Sequence, residues 1–256
     1  MEKNEINPEE KSANNNSVKH HYDYLLSDIY SWMSGDFRVQ VNQTREYFIK
    51  NNIKPSETHS AIDLGSGHGI QSAALIELGF NVTAVDQSEK LLAELKQNSS
   101  NKVKTINGDI AEFSYPGNIK PELIVCMGDT ITHLPTADDV RKMIKNAAEN
   151  LIINGKLVLS FRDLSNELKG VSRVIPVKSE PTRILTCFLE FGKEKVNVND
   201  ILHEFVDGRW EMKVSSYSKL KLSAGEISEM LKTAELDLIH SEKLKGMEFI
   251  IAQKLK

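Results

Sequence analysis

Apolar and polar stretches follow one another along residues 60–162 in an order that predicts strands and helices in turn. The pattern predicts strands near 60–64, 81–85, 102–106, 122–127 and 155–162, and helices at 69–78, 88–98 and 136–150. Alternation of this kind is typical of a parallel sheet that is covered by helices on both faces. The sequence therefore predicts an α/β fold.

Two helical segments are predicted ahead of the first strand. The first has apolar side chains at helical spacing, and the second runs from Phe37 to Asn51 and ends before Pro55. The apolar positions of the first segment are Tyr22, Leu25, Leu26, Ile29 and Met33. Residues 1–19 are polar and show no apolar period, so a disordered tail is expected there.

The alternation stops after Asp163. Segments 184–191, 196–205 and 210–217 are rich in β-branched and aromatic residues, and Asp207-Gly208 is a hairpin signal between the last two. An antiparallel β insertion is therefore expected. Ser223 and Glu226 form a capping-box pattern that predicts a helix through Ala234, followed by strands near 236–243 and 247–254.

The segment Ala61-Ile-Asp-Leu-Gly-Ser-Gly-His-Gly69 predicts a strand that enters a glycine turn and then a helix. Gly65 and Gly67 lack a Cβ, so the loop amides can approach a ligand at the helix N-terminus. Asp86 is expected at the end of the next strand. The dinucleotide fingerprint needs a third glycine where this chain has Ile70, so the spacing favours another nucleoside cofactor.

With Asp63 two positions before the first glycine, this loop resembles the first motif of class I S-adenosylmethionine-dependent methyltransferases. Four further segments resemble that family in the same order: Phe80–Asp86, Asn107–Ile110, Leu123–Asp129 and Leu151–Ser160. The resemblance implies a Rossmann-like seven-stranded sheet with helices on both faces, whose last strand is antiparallel. It also implies that Asp86 holds the ribose hydroxyls and that Asp109 faces the adenine amino group.

The residues that we expect at the S-adenosyl-L-methionine site share the carboxyl edge of the sheet or the preceding helices. They are Tyr22, Tyr30, Trp32, Arg38, Asp63, Gly65, Ser66, Gly67, Asp86, Gln87, Asp109, Ile110, Met127 and Gly128. Several of them have a simpler structural alternative. Asp63 can support the loop through hydrogen bonds, Asp86 can cap the following helix, and the helical aromatic residues can be core residues.

A closer resemblance, over about residues 20–163, is to the glycine N-methyltransferase-like group. It rests on Ser34-Gly-Asp-Phe-Arg38, on Val125–Pro135 and on Phe161-Arg-Asp163. It implies that Arg38 binds the carboxylate of the cofactor and that Arg162 binds the carboxylate of an amino-acid acceptor. Leu164 replaces an aromatic residue of that group, so glycine itself does not follow as the acceptor.

These patterns divide the chain into four parts: a tail (1–19), a helical lid with the cofactor-binding core (20–163), an antiparallel cap (164–221) and the end of the core sheet (222–256). The expected function is methyl transfer to the nitrogen, oxygen or sulfur of a small acceptor. Arg162 and His133 are the catalytic candidates, although Arg162 can be an ion-pair partner and His133 a loop residue. The alternatives are a non-catalytic cofactor-binding regulator and a nucleotide-dependent oxidoreductase.

Composition and charge indicate which classes of partner the chain is expected to bind. The 256 residues carry a net charge of −4 and no dense Lys/Arg run, so we expect a small-molecule substrate and no nucleic acid. No stretch reaches the ~20 apolar residues of a membrane span. Two cysteines in apolar runs and seven histidines without ligand spacing suggest a reducing compartment and no metal. We expect a cytoplasmic protein, for which a homodimer is compatible with the sequence.

Overall fold

The computed structural model describes residues 21–113, 115 and 117–256, so the predicted tail at 1–19 lies outside the described residues. The described chain opens with a π-helical turn, Tyr22–Leu26, that continues directly into helix α1, Ser27–Ser34. Helix α2, Phe37–Lys50, begins at the cap residue Asp36, whose carboxylate accepts a hydrogen bond from the Val39 amide. The two predicted N-terminal helices are thus present.

The core alternates as the pattern predicts. Its elements are β1 (Ser60–Leu64), α3 (Ile70–Glu77), β2 (Asn81–Asp86), α4 (Glu89–Asn98), β3 (Lys104–Asn107), β4 (Leu123–Cys126), α5 (Ala137–Asn150) and β5 (Lys156–Phe161). A 3₁₀ turn, Thr130–His133, lies between β4 and α5. The predicted bounds differ by two residues at most, and chiefly at β3, which begins at Lys104 instead of residue 102.

The insertion follows β5. After a 3₁₀ turn at Gly170–Arg173 it forms β6 (Val174–Glu180), β7 (Arg183–Phe191), β8 (Lys195–Val206) and β9 (Arg209–Leu220), which pair in that order as an antiparallel sheet. The chain ends with α6 (Ala224–Thr233), β10 (Leu236–Leu244) and β11 (Met247–Lys254). The predicted capping box of Ser223 and Glu226 is present at the start of α6.

Seven strands form the main sheet in the order β10-β11-β5-β4-β1-β2-β3. Strands β1 to β5 pair in parallel, and β11 is antiparallel to both β5 and β10. Two hydrophobic clusters cover its faces, one built with α5 and α6 and the other with α2, α3 and α4. The predicted seven-stranded sheet with an antiparallel last strand is confirmed.

Strand β6 is the element of the insertion that the sequence did not predict. It carries Pro176 and charged side chains at Lys178 and Glu180, and its residues are exposed or half-buried. Proline is tolerated there because β6 is an edge strand and its register shifts beside Pro176. An edge strand with one neighbour does not need the apolar alternation that reveals a half-buried strand.

The insertion and the N-terminal helix meet above the carboxyl edge of the main sheet. Leu25, Leu26 and Ile29 pack against Leu185 of β7 and Leu202 of β8 in a small cluster of their own. Strand β9 lies against the turn that follows β4. Both additions to the core therefore lie at the edge where the glycine loop emerges.

Candidate functional site

The glycine loop between β1 and α3 has the backbone shape that only glycine adopts without strain. Gly65 and Gly67 have φ values of +69° and +53°. A Cβ on Gly65 would come within 2.1 Å of the Thr130 methyl group, so any larger residue would displace the turn after β4. The Gly65 and Ser66 amides donate to the Val85 carbonyl at 2.8 and 3.1 Å, which attaches the loop to the end of β2.

Asp86 ends β2 and is joined to the same loop. Its carboxylate accepts hydrogen bonds from the Gly67 amide and the Ser88 amide, both at 2.8 Å. Burial raises the pKa of Asp86, and these two amides oppose that effect. Two amides occupy only part of the acceptor capacity of a carboxylate, so Asp86 can bind further donors.

One cavity of about 640 Å³ lies over this edge of the sheet. It is contiguous from the glycine loop and Asp86 to the turn after β4 and the end of β5. The sequence-predicted residues that line it are Tyr22, Tyr30, Gly65, Ser66, Gly67, Asp86, Gln87, Ile110, Met127, Gly128, His133 and Arg162. Chain segments far apart in sequence thus meet around one space of ligand size.

Arg38 and Trp32 do not line the cavity. The Arg38 side chain is 69% exposed, and its guanidinium pairs with Glu77 of α3 at 3.0 Å. The Trp32 ring faces the insertion, with Lys178 Nζ and Arg183 Cζ at 5.1 and 5.2 Å from its centroid. In this structure Arg38 of α2 therefore pairs with α3, and Trp32 of the N-terminal helix contacts the insertion.

Asp63 and Asp109 also lie outside the cavity lining. Asp63 is buried in β1 and accepts a hydrogen bond from the Ser72 hydroxyl at 2.6 Å, which links the strand to α3. Asp109 accepts from the Ala111 amide at 2.8 Å and shapes the turn that carries Ile110. The structural alternative considered for Asp63 describes this geometry.

The wall of the cavity at the end of β4 and β5 carries His133 and Arg162. The His133 ring stacks on Tyr217 of β9 at 5.2 Å between centroids. Burial and the charge of Lys219 lower the pKa of His133 to about 3, so its imidazole is neutral at physiological pH. Its Nδ1 is buried and has no hydrogen-bond partner among the residues that the structure describes.

Sequence reasoning missed the residues that α2 and the β10–β11 hairpin contribute. Gln40, Gln43 and Tyr47 of α2 line the cavity, and so do Lys245 and Met247 at the hairpin. Gln40, Gln43 and Tyr47 are three and four residues apart, a spacing that predicts one face of a helix but does not show what that face contacts. Nothing local marks the hairpin, because only the insertion of β11 between β5 and β10 brings it to the cavity.

His21 is a further contact that the sequence did not reveal. Its buried ring stacks on the other side of the site's Tyr217, with centroids 4.2 Å apart, and its Nε2 lies 3.2 Å from the Asp200 carboxylate. Tyr217 therefore contacts two imidazoles, those of His21 and His133. The N-terminal helix, the cap and the wall of the cavity are in direct contact through this stack.

No helix in the described part of the chain is long and apolar enough to cross a membrane. Within the same residues, no group of three or more His, Cys, Asp or Glu side chains could hold a metal ion.

Comparison with known proteins agrees with this geometry. Residues 61–155 match the family model described as a methyltransferase domain. The glycine/sarcosine N-methyltransferase of Parasynechococcus marenigrum is 29% identical over 142 residues, which are 54% of this chain and 50% of that protein. The chain thus spans about half the length of this curated relative.

Solved structures share the fold over most of the chain. An S-adenosylmethionine-dependent methyltransferase from Clostridium acetobutylicum superposes with a TM-score of 0.70 at 18% identity, covering 93% of this chain and 98% of that one. An amino pentose methyltransferase from Micromonospora echinaspora, solved with S-adenosylmethionine bound, has a TM-score of 0.70 at 13% identity. It covers 86% of this chain and 92% of that one.

Proposed function

We propose that this chain, which belongs to the class I S-adenosylmethionine-dependent methyltransferases, methylates the amine nitrogen of a small acceptor that bears a carboxylate. The observation that carries the proposal is the continuity of one cavity from the glycine loop and Asp86 to His133 and Arg162. The glycine/sarcosine activity named for the relative supports an amine acceptor. The comparisons support neither the regulatory nor the oxidoreductase alternative.

The cofactor half of the cavity fits a nucleoside. Asp86 retains acceptor capacity for the ribose hydroxyls, and Ile110 and Met127 supply apolar contacts for the adenine ring. The Ser66 hydroxyl is buried and has no hydrogen-bond partner in the described part of the chain. A buried hydroxyl without a partner costs free energy, so a polar ligand atom there would stabilise the site.

The chemistry needs orientation more than covalent help. Bound S-adenosylmethionine would supply an activated methyl group to the amine nitrogen. The nitrogen–carbon bond would form as the carbon–sulfur bond breaks, with that electron pair kept by sulfur, and the ammonium product would lose its proton to solvent after release. The chain's own contribution is to place the amine in line and to exclude water, which is worth up to ~7–11 kcal/mol in model systems. Tyr22 and Tyr30 of the N-terminal helix are placed to exclude water, because both line the cavity.

His133 acts on the acceptor amine as a neutral hydrogen-bond acceptor. A pKa lowered to about 3 makes its imidazole a poor general base for an ammonium group. Because His133 lines the cavity, its neutral imidazole can instead accept a hydrogen bond from an amine N–H and direct the nitrogen lone pair. The amine must then arrive already deprotonated.

Arg162 selects the acceptor through its guanidinium. The side chain lines the cavity and is 56% exposed, and its Nε is 3.9 Å from the Asp129 carboxylate. A pair at that distance is loose, so the planar donor edge stays available to an incoming anion. Guanidinium and carboxylate can then form two parallel hydrogen bonds.

A panel of acceptors tests the proposal by the production of S-adenosylhomocysteine. Glycine and sarcosine carry both amine and carboxylate, methylamine and dimethylamine lack the carboxylate, and an amino pentose offers an amine on a polyol. We expect turnover of an amino acid and at least tenfold lower kcat/KM for amines without the carboxylate, because a charge-assisted hydrogen bond contributes ~1.5–3 kcal/mol.

Arg162→Lys provides the matched test within the chain. It should raise KM for the amino acid about tenfold and leave donor affinity unchanged, because lysine keeps the charge and loses the two-pronged geometry. Arg173→Lys, on the insertion and away from the cavity lining, is the control. Preferred turnover of the amino pentose would overturn the carboxylate part of the proposal, and donor binding without turnover of any acceptor would favour the regulatory alternative.

We further propose a cytoplasmic location, since Cys126 and Cys187 are both unpaired and buried. A homodimer, a hypothesis from the sequence, is testable by sedimentation.

A further inference from the structure

Asp129, three residues after the end of β4, is a buried carboxylate next to the cavity wall that carries His133 and Arg162. It is 5% exposed, and its Oδ1 accepts hydrogen bonds from the Arg162 amide at 2.8 Å and the Thr132 hydroxyl at 3.2 Å. An ionised carboxylate at this depth needs a cation, because an unpaired buried charge is strongly destabilising. Among the described residues, Lys219 and Arg162 are the cations within ion-pair distance of it.

Lys219 is the cation that pairs with Asp129. Its Nζ lies 2.5 Å from Asp129 Oδ2, whereas Arg162 Nε lies 3.9 Å from the same oxygen. The Lys219 side chain is 12% exposed, and it reaches the site from β9 of the insertion. Burial alone would raise the pKa of Asp129, but the Lys219 charge and the Arg162 amide hold it below its usual range.

We propose that Lys219 is a positioning residue of the acceptor site, which neutralises Asp129 and so keeps the Arg162 guanidinium free to bind the acceptor carboxylate. Without Lys219 the nearest cation to the buried Asp129 carboxylate would be Arg162, whose backbone amide already contacts it. Arg162 would then turn onto Asp129 and be lost to the acceptor. This inference rests on the proposed function, because it concerns recognition of an anionic acceptor.

The arrangement makes the cap part of the acceptor site. The insertion supplies Lys219, the cation that neutralises the Asp129 carboxylate of the core. The Arg162 guanidinium is therefore free to bind an acceptor only when the cap is in place. Lys219 Nζ also lies 5.7 Å from the centroid of the Tyr217 ring, which stacks on His133. The same strand therefore supports both acceptor-side residues, His133 by ring contact and Arg162 by charge.

Lys219→Met tests the proposal, with Lys221→Met as the matched control. Lys221 lies two residues further along the chain, just after β9 ends at Leu220. Its side chain is also 12% exposed and also pairs with a carboxylate, that of Glu167, at 2.8 Å. The acceptor probe is glycine or sarcosine, whichever the wild-type enzyme turns over faster. We expect Lys219→Met to raise its KM about tenfold or more, with kcat within about threefold and S-adenosylhomocysteine affinity unchanged. Lys221→Met should behave as wild type.

The double variant Asp129→Asn/Lys219→Met distinguishes two roles of Lys219, positioning Arg162 and stabilising the docked cap. It removes both charges, so nothing captures Arg162, and KM should return to within about threefold of wild type. If Lys219 served only to hold the cap, the double variant would stay as impaired as the single one. That result would overturn the proposal.

A spectroscopic readout separates this proposal from the acceptor assignment. Nuclear magnetic resonance of protein with isotope-labelled arginine, bound to S-adenosylhomocysteine, reports on the Arg162 Nε–H group. The signal that is missing from Arg162→Lys belongs to Arg162, and in the wild type its hydrogen should exchange rapidly with water. It should shift and gain protection in Lys219→Met, and revert in the double variant. If no amino acid is turned over, the proposed function fails while this measurement still decides the inference. An Arg162 signal unchanged in Lys219→Met would refute it.

Discussion

At the scale of single residues, we propose that donor binding depends on Asp86. Its carboxylate orders the glycine loop through Gly67 and faces the cavity with its remaining lone pairs. Asp86→Ala should weaken binding of S-adenosylmethionine and S-adenosylhomocysteine about tenfold or more. The ribose hydroxyls of the ligand would then be buried without a hydrogen-bond acceptor, which costs ~1–3 kcal/mol. Isothermal titration calorimetry of the folded variant measures the change.

Asp36→Ala controls for the loss of a backbone hydrogen bond. Asp36 also accepts from an amide, that of Val39 at 2.9 Å, but it caps α2 away from the cavity lining. This variant should lose some stability and keep its donor affinity. Equal loss of affinity in both variants would mean that Asp86 acts only through the fold.

The positions of single residues in the cavity wall were predictable from the sequence where one local motif specifies them. Gly65 and Gly67 indicate a sharp turn after β1, and Asp86 at the end of the next strand is positioned to accept a hydrogen bond from that turn. Lys219 and Tyr47 were missed because their roles depend on where a distant strand or helix face comes to lie. Arg38 was predicted at the cofactor from a resemblance, yet its exposed guanidinium pairs with Glu77, so that role stays a prediction.

The N-terminal helix is, at the scale of elements, a bridge between cap and cavity. Its apolar side packs on Leu185 and Leu202 of the insertion, while Tyr22 and Tyr30 line the cavity. Deleting residues 1–34 should abolish donor binding and leave the sheet folded, because α2 and its cap Asp36 are kept and Phe48 of α2 stays buried in the main core. Calorimetry for binding and circular dichroism for folding test this.

Deleting residues 1–19 is the control for that truncation. It leaves His21 and its stack on Tyr217 in place, so donor affinity should match that of the full chain. Normal donor binding by the longer deletion would show that the helix is structural packing and not a lid.

Elements were predictable where burial imposes a period. The strands and helices of the core are covered on at least one face, and their patterns gave bounds within two residues. Strand β6 escaped because an exposed edge strand that contains Pro176 follows no such rule. The apolar spacing at Tyr22–Leu26 predicts an ordinary α-helix, because the side chains of this π-helical turn recur at roughly the same spacing.

At the scale of the whole molecule, the seven-stranded sheet with its antiparallel last strand was implied by a family resemblance, because local periodicity does not specify which strands pair. The layered alternation limits the topology to a parallel sheet with right-handed connections. It does not place β11 between β5 and β10, and it does not say where the cap docks. The individual residues that α2 and the β10–β11 hairpin contribute to the cavity could therefore not be predicted.

One buried acid should make the stability of the whole molecule depend on pH. Asp63 lies in β1, inside the seven-stranded sheet, and is 1% exposed. Burial raises the pKa of Asp63 to about 7, although the hydrogen bond from Ser72 opposes the shift. An unfolded aspartate titrates near 3.9. Between these values the folded protein binds a proton that the unfolded chain does not, so this stabilisation is fully present below about pH 4 and is lost as pH rises through about 7.

Asp63→Asn removes that titration and keeps an oxygen for the Ser72 hydroxyl. The gain in Tm of the variant over wild type should be several degrees larger at pH 8 than at pH 5, since two pKa units correspond to ~2.7 kcal/mol and 1 kcal/mol to ~2–4 °C at this size. Buried histidines such as His133 titrate in both proteins, so the difference between the melting curves isolates Asp63. Asp237→Asn, at an exposed position of β10, should shift Tm equally at both pH values. If Asp63→Asn did the same, Asp63 would be ionised across this range and its charge would have to be compensated within the core.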